Sequence, residues 1–262
     1  MTISGGEPPL PVTQDGPRDA PALLLIHGSA SSTRSWDALV PLLTGAHRVL
    51  RIDLLGHGRS AKPDGPGYGI ADQGRRAAAA LDRLGAGQAV VVGHSTGGSV
   101  ATALAEQRPG LVTALVLVNT GPGMAASTAP KVDFAPSQWP RLTDEQIRQA
   151  MSSAFNPGFE APQALVDDVR GMTHHAFTAT LQASREYLEQ KALPDRLAAL
   201  GVPLLVLFGE DDRRWRADAA IAAYRGVPGA LVEPLPGVGH SPMLEDPPRT
   251  AAALLAFTGR RT

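Results

Sequence analysis

A serine lies in a short segment that predicts a sharp turn between a strand and a helix. Residues 93–97 read GHSTG, follow the apolar run 89–92 and lead into the helix-like segment 96–107. Glycines two positions to either side of Ser95 let such a turn close and present the serine hydroxyl above the carboxyl end of the strand. A hydroxyl in this place can act as a nucleophile once a base takes its proton. The backbone N–H of Thr96, at the start of the helix, would then face the negative charge that develops beside Ser95.

His240 is the best candidate for that base. It lies in the glycine-rich segment 236–240 (PGVGH), between the last predicted strand and the final predicted helix. An imidazole can take a proton at neutral pH and return it in the next step. Three other histidines lie in turns flanked by glycine, where we expect them to hold the loops through hydrogen bonds to the backbone: His27, His57 and His94.

Two adjacent histidines, His174 and His175, follow the acidic pair Asp167 and Asp168. Such a cluster can hold a metal ion, but neighbouring side chains on a helix point in different directions. We therefore expect these four residues to form a solvated helix face and predict no metal site. The chain contains no cysteine, which excludes disulfides, thiolate metal ligands and a cysteine nucleophile.

A catalytic imidazole needs a carboxylate that holds it in one tautomer and stabilises its cation. The apolar run 203–208 leads into residues 209–213 (GEDDR), which place acidic side chains at positions 210, 211 and 212 at the carboxyl edge of the predicted sheet. The end of the preceding strand offers Asn119 instead, and an amide cannot stabilise an imidazolium. The acid is therefore expected after the later strand, while at least one of the three acidic residues belongs to a solvated turn.

A second N–H donor for the oxyanion is expected from the loop after the first parallel strand. Residues 27–31 (HGSAS) follow the apolar run 22–26 and precede a helix that begins near Thr33. The backbone N–H of Ser29 is our first choice, and that of Ala30 is the alternative. Loss of one such donor typically costs about 3 kcal/mol of transition-state stabilisation.

The elements that carry these residues alternate between strands and helices. Six short apolar runs, rich in valine and leucine, are typical of strands buried on both faces of a parallel sheet: residues 22–26, 48–53, 89–93, 114–119, 203–209 and 230–235. Helix-like segments lie between and around them: residues 33–43, 71–84, 96–107, 215–225 and 247–258. This alternation predicts an α/β fold with a mostly parallel central sheet and helices on both faces.

The alternation is interrupted once, by a segment without a convincing strand. Residues 121–195 contain helix-like stretches punctuated by proline and carry half of the chain's twelve aromatic residues. We interpret them as a helical cap over the site, inserted into a core formed by residues 1–120 and 196–262. Alternatively, the aromatic residues form a small core of the insertion itself. The residues that we expect to contact the substrate are Met124, Trp139, Phe155, Phe159 and Phe177.

Composition excludes several classes of function. Lys and Arg number 24 and Asp and Glu 25, so the net charge of -1 predicts no surface for nucleic acid or an anionic membrane. Residues 1–20 lack the basic start and apolar stretch of a signal peptide, and no apolar run approaches the roughly 20 residues of a membrane helix. We expect a soluble, cytoplasmic protein whose partner is a small-molecule acyl substrate. The oligomeric state stays open.

Several linked motifs resemble those of the α/β-hydrolase family, in particular its small members with a cap. They are His27-Gly28 with Trp36 downstream, and residues 53–60 (DLLGHGRS), 93–98 (GHSTGG), 209–212 (GEDD) and 239–242 (GHSP). The resemblance covers nearly the whole chain and implies a catalytic triad of Ser95, Asp212 and His240, because the acid of this family is usually the fourth residue of the Gly-x-x-Asp turn. It also implies an oxyanion pair at Ser29 and Thr96, a helical cap inserted after the sixth strand, and no cofactor.

Individual positions differ from some branches of this family and are similar to others. The nucleophile position holds Ser95 rather than aspartate, which argues against epoxide hydrolases and haloalkane dehalogenases. The residue after His240 is Ser241 rather than the tryptophan common in carbon–carbon bond hydrolases of aromatic degradation. The segment GHSTGG is similar to that of cofactor-free haloperoxidases and lactonases.

These observations favour a carboxylic ester hydrolase-like enzyme. We expect it to cleave an ester, lactone or thioester of a small, largely apolar molecule through an acyl-enzyme. One alternative keeps the fold and triad but changes the reaction to perhydrolysis, carbon–carbon cleavage, or a lyase or cyclase reaction. Another is a ligand-binding protein without turnover, against which the presence of all three triad residue types argues.

Overall fold

The computed structural model describes residues 8–260, and within them seven strands form a single sheet. In chain order the strands are β1 (Val12–Asp15), β2 (Ala22–Ile26), β3 (Arg48–Ile52), β4 (Ala89–His94), β5 (Val112–Val118), β6 (Leu204–Gly209) and β7 (Leu231–Leu235). Their order in the sheet is β1-β3-β2-β4-β5-β6-β7, with β1 antiparallel to β3 and every other pair parallel. The six apolar runs correspond to β2 to β7, which confirms the predicted mostly parallel sheet.

Ten α-helices accompany the sheet within residues 8–260. They are α1 (Val40–Leu43), α2 (Ile70–Arg83), α3 (Thr96–Gln107), α4 (Asp144–Met151), α5 (Gln163–Arg170), α6 (His174–Gln190), α7 (Leu193–Leu200), α8 (Ala217–Arg225), α9 (Pro242–Glu245) and α10 (Pro247–Thr258). The predicted helix over 33–43 is instead a 3-10 turn, Thr33–Trp36, followed by the short α1. None of the helices in the described part of the chain combines the length and apolarity needed to cross a lipid bilayer.

The central strands are apolar at consecutive positions because both faces of the sheet are covered. Successive side chains of a strand point to opposite faces. In β2, Leu23 and Leu25 pack into the hydrophobic cluster shared with α1 and α10, whereas Leu24 and Ile26 pack into the cluster shared with α2, α3 and α8. All four side chains are at most 1% exposed. The helices on both faces therefore confirm the predicted architecture.

The chain between β5 and β6, which the structure describes throughout, forms helices and no strand, and we call the part of it that precedes α7 the insertion. Its two ends meet where the Leu193 N–H donates to the Pro122 carbonyl at 2.8 Å. The predicted boundary at residue 195 falls inside α7, which packs against α3 of the core and so belongs with it. The insertion follows the fifth strand of residues 8–260, whereas the resemblance placed it after the sixth. Residues 1–7 and 261–262 of the predicted core lie outside the described residues.

The insertion is held to the core by polar contacts. Asp168 accepts a hydrogen bond from the Ser32 hydroxyl at 2.6 Å and forms a salt bridge with Arg34. This corrects the expectation of a solvated face for Asp168, which is only 4% exposed because it faces these two core residues. At the other end, the Asn156 backbone N–H donates to Glu245 at 3.0 Å. These contacts fix the insertion over the carboxyl edge of the sheet.

Buried histidines give the fold a predictable response to acid. His27, His57 and His94 are buried and each hydrogen-bonds to a backbone group, as expected of loop-fixing residues. Burial lowers the pKa of all three, and the pKa of His57 falls from 6.5 to about 3. Below pH 6.5 the unfolded chain therefore takes up protons that the folded chain excludes. The stability contributed by these neutral imidazoles is complete above that pH and is lost as the pH falls below it, down to about pH 3 for His57.

We expect the free energy of unfolding to fall between pH 6.5 and pH 4, by up to about 1.4 kcal/mol per pH unit for His57, and the lowered pKa values of His27 and His94 should add to this slope. Urea denaturation at several pH values measures this slope. The His57→Gln variant should show a shallower slope because it removes one of the proton-binding groups from the unfolded state. Equal slopes for the variant and the parent would contradict the assignment of His57.

Candidate active site

Ser95 lies at the sharp turn that joins β4 to α3. Its backbone has φ 52° and ψ -123°, and its N–H donates to the Val118 carbonyl at 3.0 Å. A Cβ atom on Gly93 would lie 2.3 Å from the Gly97 carbonyl oxygen, and one on Gly97 would lie 2.3 Å from the Ile26 carbonyl oxygen. Side chains at either position would therefore prevent the turn from closing, which is why glycine occupies both.

His240 and Asp212 form a buried pair at the same edge of the sheet. The His240 Nδ1 atom lies 2.8 Å from Asp212 Oδ2, and their side chains are 2% and 0% exposed. Burial acts to raise the pKa of Asp212, but attraction to His240 and hydrogen bonds from its neighbours outweigh burial and lower the pKa overall. Asp212 is therefore a carboxylate at neutral pH. Glu210 and Asp211 are exposed.

Three further donors hold the Asp212 carboxylate in place. Its Oδ1 atom accepts from the backbone N–H groups of Arg214 at 2.7 Å and Trp215 at 3.2 Å. Its Oδ2 atom accepts from the Asn119 side-chain amide at 2.7 Å. Asn119 adopts φ 44°, and its own Oδ1 accepts from the Gly209 N–H at 3.0 Å. Asn119, considered above as an alternative acid position, therefore helps to orient the Asp212 carboxylate.

The proton arrangement of His240 follows from these contacts. A carboxylate can only accept, so in the neutral imidazole the proton lies on His240 Nδ1 and the lone pair on Nε2. That Nε2 atom is buried and has no hydrogen-bond partner among residues 8–260. Ser95 and His240 line the same cavity, although no hydrogen bond joins them in the described part of the chain. Two imidazole nitrogens that lack a partner among the described residues, His240 Nε2 and His94 Nδ1, thus belong to residues that line this cavity, and of the two residues His240 is the one paired with a carboxylate.

His94, which precedes the serine, supports the His240 loop. Its Nε2 atom donates to the His240 backbone carbonyl at 2.9 Å, and the two rings lie 5.0 Å apart. Burial, followed by the proximity of His240, holds the pKa of His94 well below its ordinary value. His94 is therefore a neutral structural contact between the two loops.

The two residues predicted to supply the oxyanion donors, Ser29 and Thr96, lie next to each other. The Ser29 hydroxyl lies 2.7 Å from the Thr96 hydroxyl, and a Cβ atom on Gly28 would lie 3.1 Å from the Cβ atom of Ser95. Thr96 is the first residue of α3, where backbone N–H groups have no partner within the helix. The alternative donor Ala30 lines the cavity as Ser29 does. The loop after β2 therefore runs directly beside the serine turn.

The cavity beneath the insertion measures about 160 Å³ and is lined mainly by apolar side chains. Three of the predicted contact residues line it: Trp139, Phe155 and Phe177. Phe159 does not, because it stacks on Phe155 with ring centroids 4.9 Å apart and borders a separate surface depression. Met124 also lies away from the cavity, in a 3-10 turn that packs against the hydrophobic core.

Sequence reasoning missed most of the aliphatic lining. Helices α4, α5 and α6 each present two residues four positions apart to the cavity: Ile147 and Met151, Leu165 and Val169, Phe177 and Leu181. Side chains at this spacing share one face of a helix, so the helical period could have identified them. Arg214 also lines the cavity, and no pattern in the sequence marked it.

Comparisons with known proteins agree with this geometry. A sequence model of the alpha/beta hydrolase family matches residues 23–253. A 2-hydroxy-6-oxo-6-(2'-aminophenyl)hexa-2,4-dienoic acid hydrolase of Metapseudomonas resinovorans is 30% identical over 251 residues, which cover 91% of this chain and 84% of the relative. A non-heme haloperoxidase of Rhodococcus erythropolis is 30% identical over 254 residues, which cover 90% of this chain and 91% of the relative.

A solved structure shows the same similarity in three dimensions. The crystal structure of a serine hydrolase involved in carbazole degradation superposes with a TM-score of 0.79 at 26% identity, covering 96% of this chain and 95% of that one. The match extends over the strands, the helices and the insertion together. This chain belongs to the alpha/beta hydrolase family.

Proposed function

We propose that the protein is a serine hydrolase that cleaves the ester, lactone or thioester bond of a small molecule. Ser95 is the nucleophile, His240 the general base and Asp212 the residue that orients the base. The observation that carries the proposal is the buried, unpartnered Nε2 of His240 in a cavity that Ser95 also lines. A free acceptor in this place is what a serine hydroxyl requires for activation.

The first half of the reaction forms an acyl-enzyme. The Ser95 Oγ atom attacks the substrate carbonyl carbon while its proton passes to His240 Nε2. The carbonyl oxygen becomes an oxyanion, which the backbone N–H groups of Ser29 and Thr96 stabilise. The bond to the leaving group then breaks, and His240 returns its proton to the departing oxygen or sulfur. In unliganded enzymes the serine–histidine hydrogen bond is often long and tightens only with substrate.

The second half of the reaction uses water in the same way. His240 Nε2 takes a proton from a water molecule whose oxygen attacks the acyl carbon, and the proton then passes to Ser95 Oγ as the acyl group leaves. One ester and one water thus give one acid and one alcohol. The insertion acts as a lid that excludes bulk water, with Trp139, Phe155 and Phe177 holding the apolar part of the substrate.

A second candidate reaction differs only in the attacking molecule. The similarity to a non-heme haloperoxidase favours attack of hydrogen peroxide, in place of water, on the same acyl-enzyme, which would release a peracid. Both reactions share the first half, so the acyl-enzyme is the feature to test. Peracid formed in the presence of hydrogen peroxide separates the two.

We expect p-nitrophenyl butyrate to give a burst of p-nitrophenol that approaches one equivalent per active site when deacylation limits turnover. A fluorophosphonate probe should label the chain once, on Ser95, because it reacts only with an activated serine. Stopped-flow absorbance and mass spectrometry of the labelled peptide measure the two results. A chain that neither hydrolyses the ester nor reacts with the probe would overturn the proposed function.

A further inference from the structure

One charged side chain lies in the mainly apolar wall of the cavity. Among the described residues that line it, Arg214 is the only Lys, Arg, Asp or Glu. Its neighbours in the lining are apolar side chains, small hydroxyl residues and the two histidines of the site. Arg214 lies two residues after Asp212, on the loop that follows β6 and next to the insertion.

The guanidinium of Arg214 has little to pair with inside the protein. Its Nε atom donates to the Ser153 hydroxyl at 3.2 Å, and its backbone N–H donates to Asp212. No carboxylate within residues 8–260 forms a salt bridge with its side chain. Asp212 is the nearby opposite charge, but its oxygens already accept hydrogen bonds from His240, Asn119 and the backbone.

The Arg214 guanidinium is partly withdrawn from water, which favours binding of an anion. Burial lowers the pKa of Arg214, although the proximity of Asp212 partly opposes the shift. An arginine nevertheless stays protonated in proteins at neutral pH, so the charge persists within the cavity wall. Arg214 is half-buried, and a bound anion would stabilise a charge that is partly withdrawn from water. The planar guanidinium matches a carboxylate through two parallel hydrogen bonds.

We propose that the substrate carries a carboxylate in addition to the acyl bond that Ser95 attacks, and that the Arg214 guanidinium binds this carboxylate. The inference rests on the proposed function of Ser95 and names the chemical class of its substrate. A single guanidinium in a small apolar cavity suits a singly charged group at one end of an apolar molecule. Apolar side chains such as Trp139 and Phe177 then contact the part between the two groups.

The test compares two series of p-nitrophenyl esters. One contains the monoesters of the straight dicarboxylic acids from glutaric to suberic acid, and the other contains the fatty acyl esters with a methyl group in place of each free carboxylate. We expect kcat/KM of the best carboxylated ester to exceed that of its partner by about ten- to hundredfold, as for a hydrogen bond to a charged group. In Arg214→Gln this ratio should fall to about one or below, and in Arg214→Lys it should be partly retained.

Arg213→Gln is the matched control, because Arg213 is the adjacent residue and carries the same charge. Arg213 is exposed, donates to the Ser152 carbonyl and does not line the cavity, so its loss should leave the ratio as in the parent. If Arg214 only braced Ser153 of the insertion, its replacement would change both esters of a pair equally and leave the ratio intact. That outcome would overturn the inference.

Measurements on the parent enzyme alone also test the inference, even if Arg214→Gln fails to fold. One outcome is that the parent is labelled on Ser95 and its kcat/KM for every neutral ester equals or exceeds that for the carboxylated partner. That outcome overturns the inference and leaves the proposed function standing. A parent that hydrolyses neither series and is not labelled on Ser95 overturns both. A preference for the carboxylated esters that disappears in Arg214→Gln and survives in Arg213→Gln supports both.

Discussion

Replacing Ser95 with alanine is expected to lower kcat for p-nitrophenyl butyrate by about 10⁶. The variant keeps the His240 base and the backbone donors but has no oxygen that can attack the carbonyl. The residual activity should come from water held beside His240 and from the oxyanion donors, which stabilise the transition state without a nucleophile. Steady-state hydrolysis and fluorophosphonate labelling measure the loss, and labelling should disappear entirely.

The fold should be unaffected by this change, which a matched variant can show. Alanine keeps the Cβ atom of Ser95 at φ 52°, so the backbone strain is the same and the thermal midpoint should hardly move. Ser95→Gly also removes the hydroxyl but adopts this φ without strain, and we expect it to be as inactive and about 1 kcal/mol more stable. If Ser95→Ala kept more than a hundredth of the activity, another hydroxyl of the lining, such as that of Ser31 or Ser241, would have to be the nucleophile.

The serine turn could be predicted from sequence because the residues that form it are consecutive in the chain. The glycine requirement arises from atoms of β4, α3 and the end of β2, and the chain crosses this point in only five residues. The pairing of His240 with an acid after β6 could also be predicted, since the carboxyl ends of neighbouring parallel strands meet at one edge. Both follow from strand order and turn chemistry alone.

The choice between Asp211 and Asp212 could not be made from spacing. The two residues are adjacent, and the backbone of the turn decides which side chain points inward. The Asp211 N–H donates to the Val238 carbonyl, while its own side chain faces solvent. Asp212 turns inward, where the side-chain amide of Asn119, the residue that follows β5, donates to it. The deciding contact thus lies 93 positions away in the chain and requires the folded sheet.

The cavity lining was the least predictable part. Aromatic type alone does not separate Phe155, which faces the cavity, from Phe159, which stacks on its ring. The position of each depends on how the insertion sits on the core, through contacts such as Asp168 with Ser32. Arg214 was missed for the same reason, because a long charged side chain in a loop ordinarily points to solvent. Only the docked insertion, with Ser153 as its contact, places Arg214 in the cavity wall.

Replacing Asp212 with asparagine is expected to lower kcat by about 10⁴ with the fold intact. The backbone N–H groups of Arg214 and Trp215 need an acceptor, so the new amide oxygen takes the place of Oδ1. The new NH₂ group then faces His240 Nδ1 and donates to it. This places the imidazole proton on Nε2, where a proton acceptor is required, and the base can no longer take the proton of Ser95.

The new NH₂ group takes the position of Asp212 Oδ2, which accepts a hydrogen bond from Asn119 Nδ2 in the parent. Two donors therefore face each other at this point in the variant. Asn119 cannot simply turn over, since its oxygen accepts from the Gly209 N–H and its NH₂ donates to the Gly239 carbonyl. Asp212→Asn should therefore be both slower and moderately less stable than the parent. The matched control is Asp211→Asn, which removes the charge of an exposed aspartate and should retain the parent's kcat and labelling rate. Equal losses in the two variants would show that overall charge, rather than the tautomer of His240, sets the activity. A normal rate in Asp212→Asn would remove Asp212 from the triad.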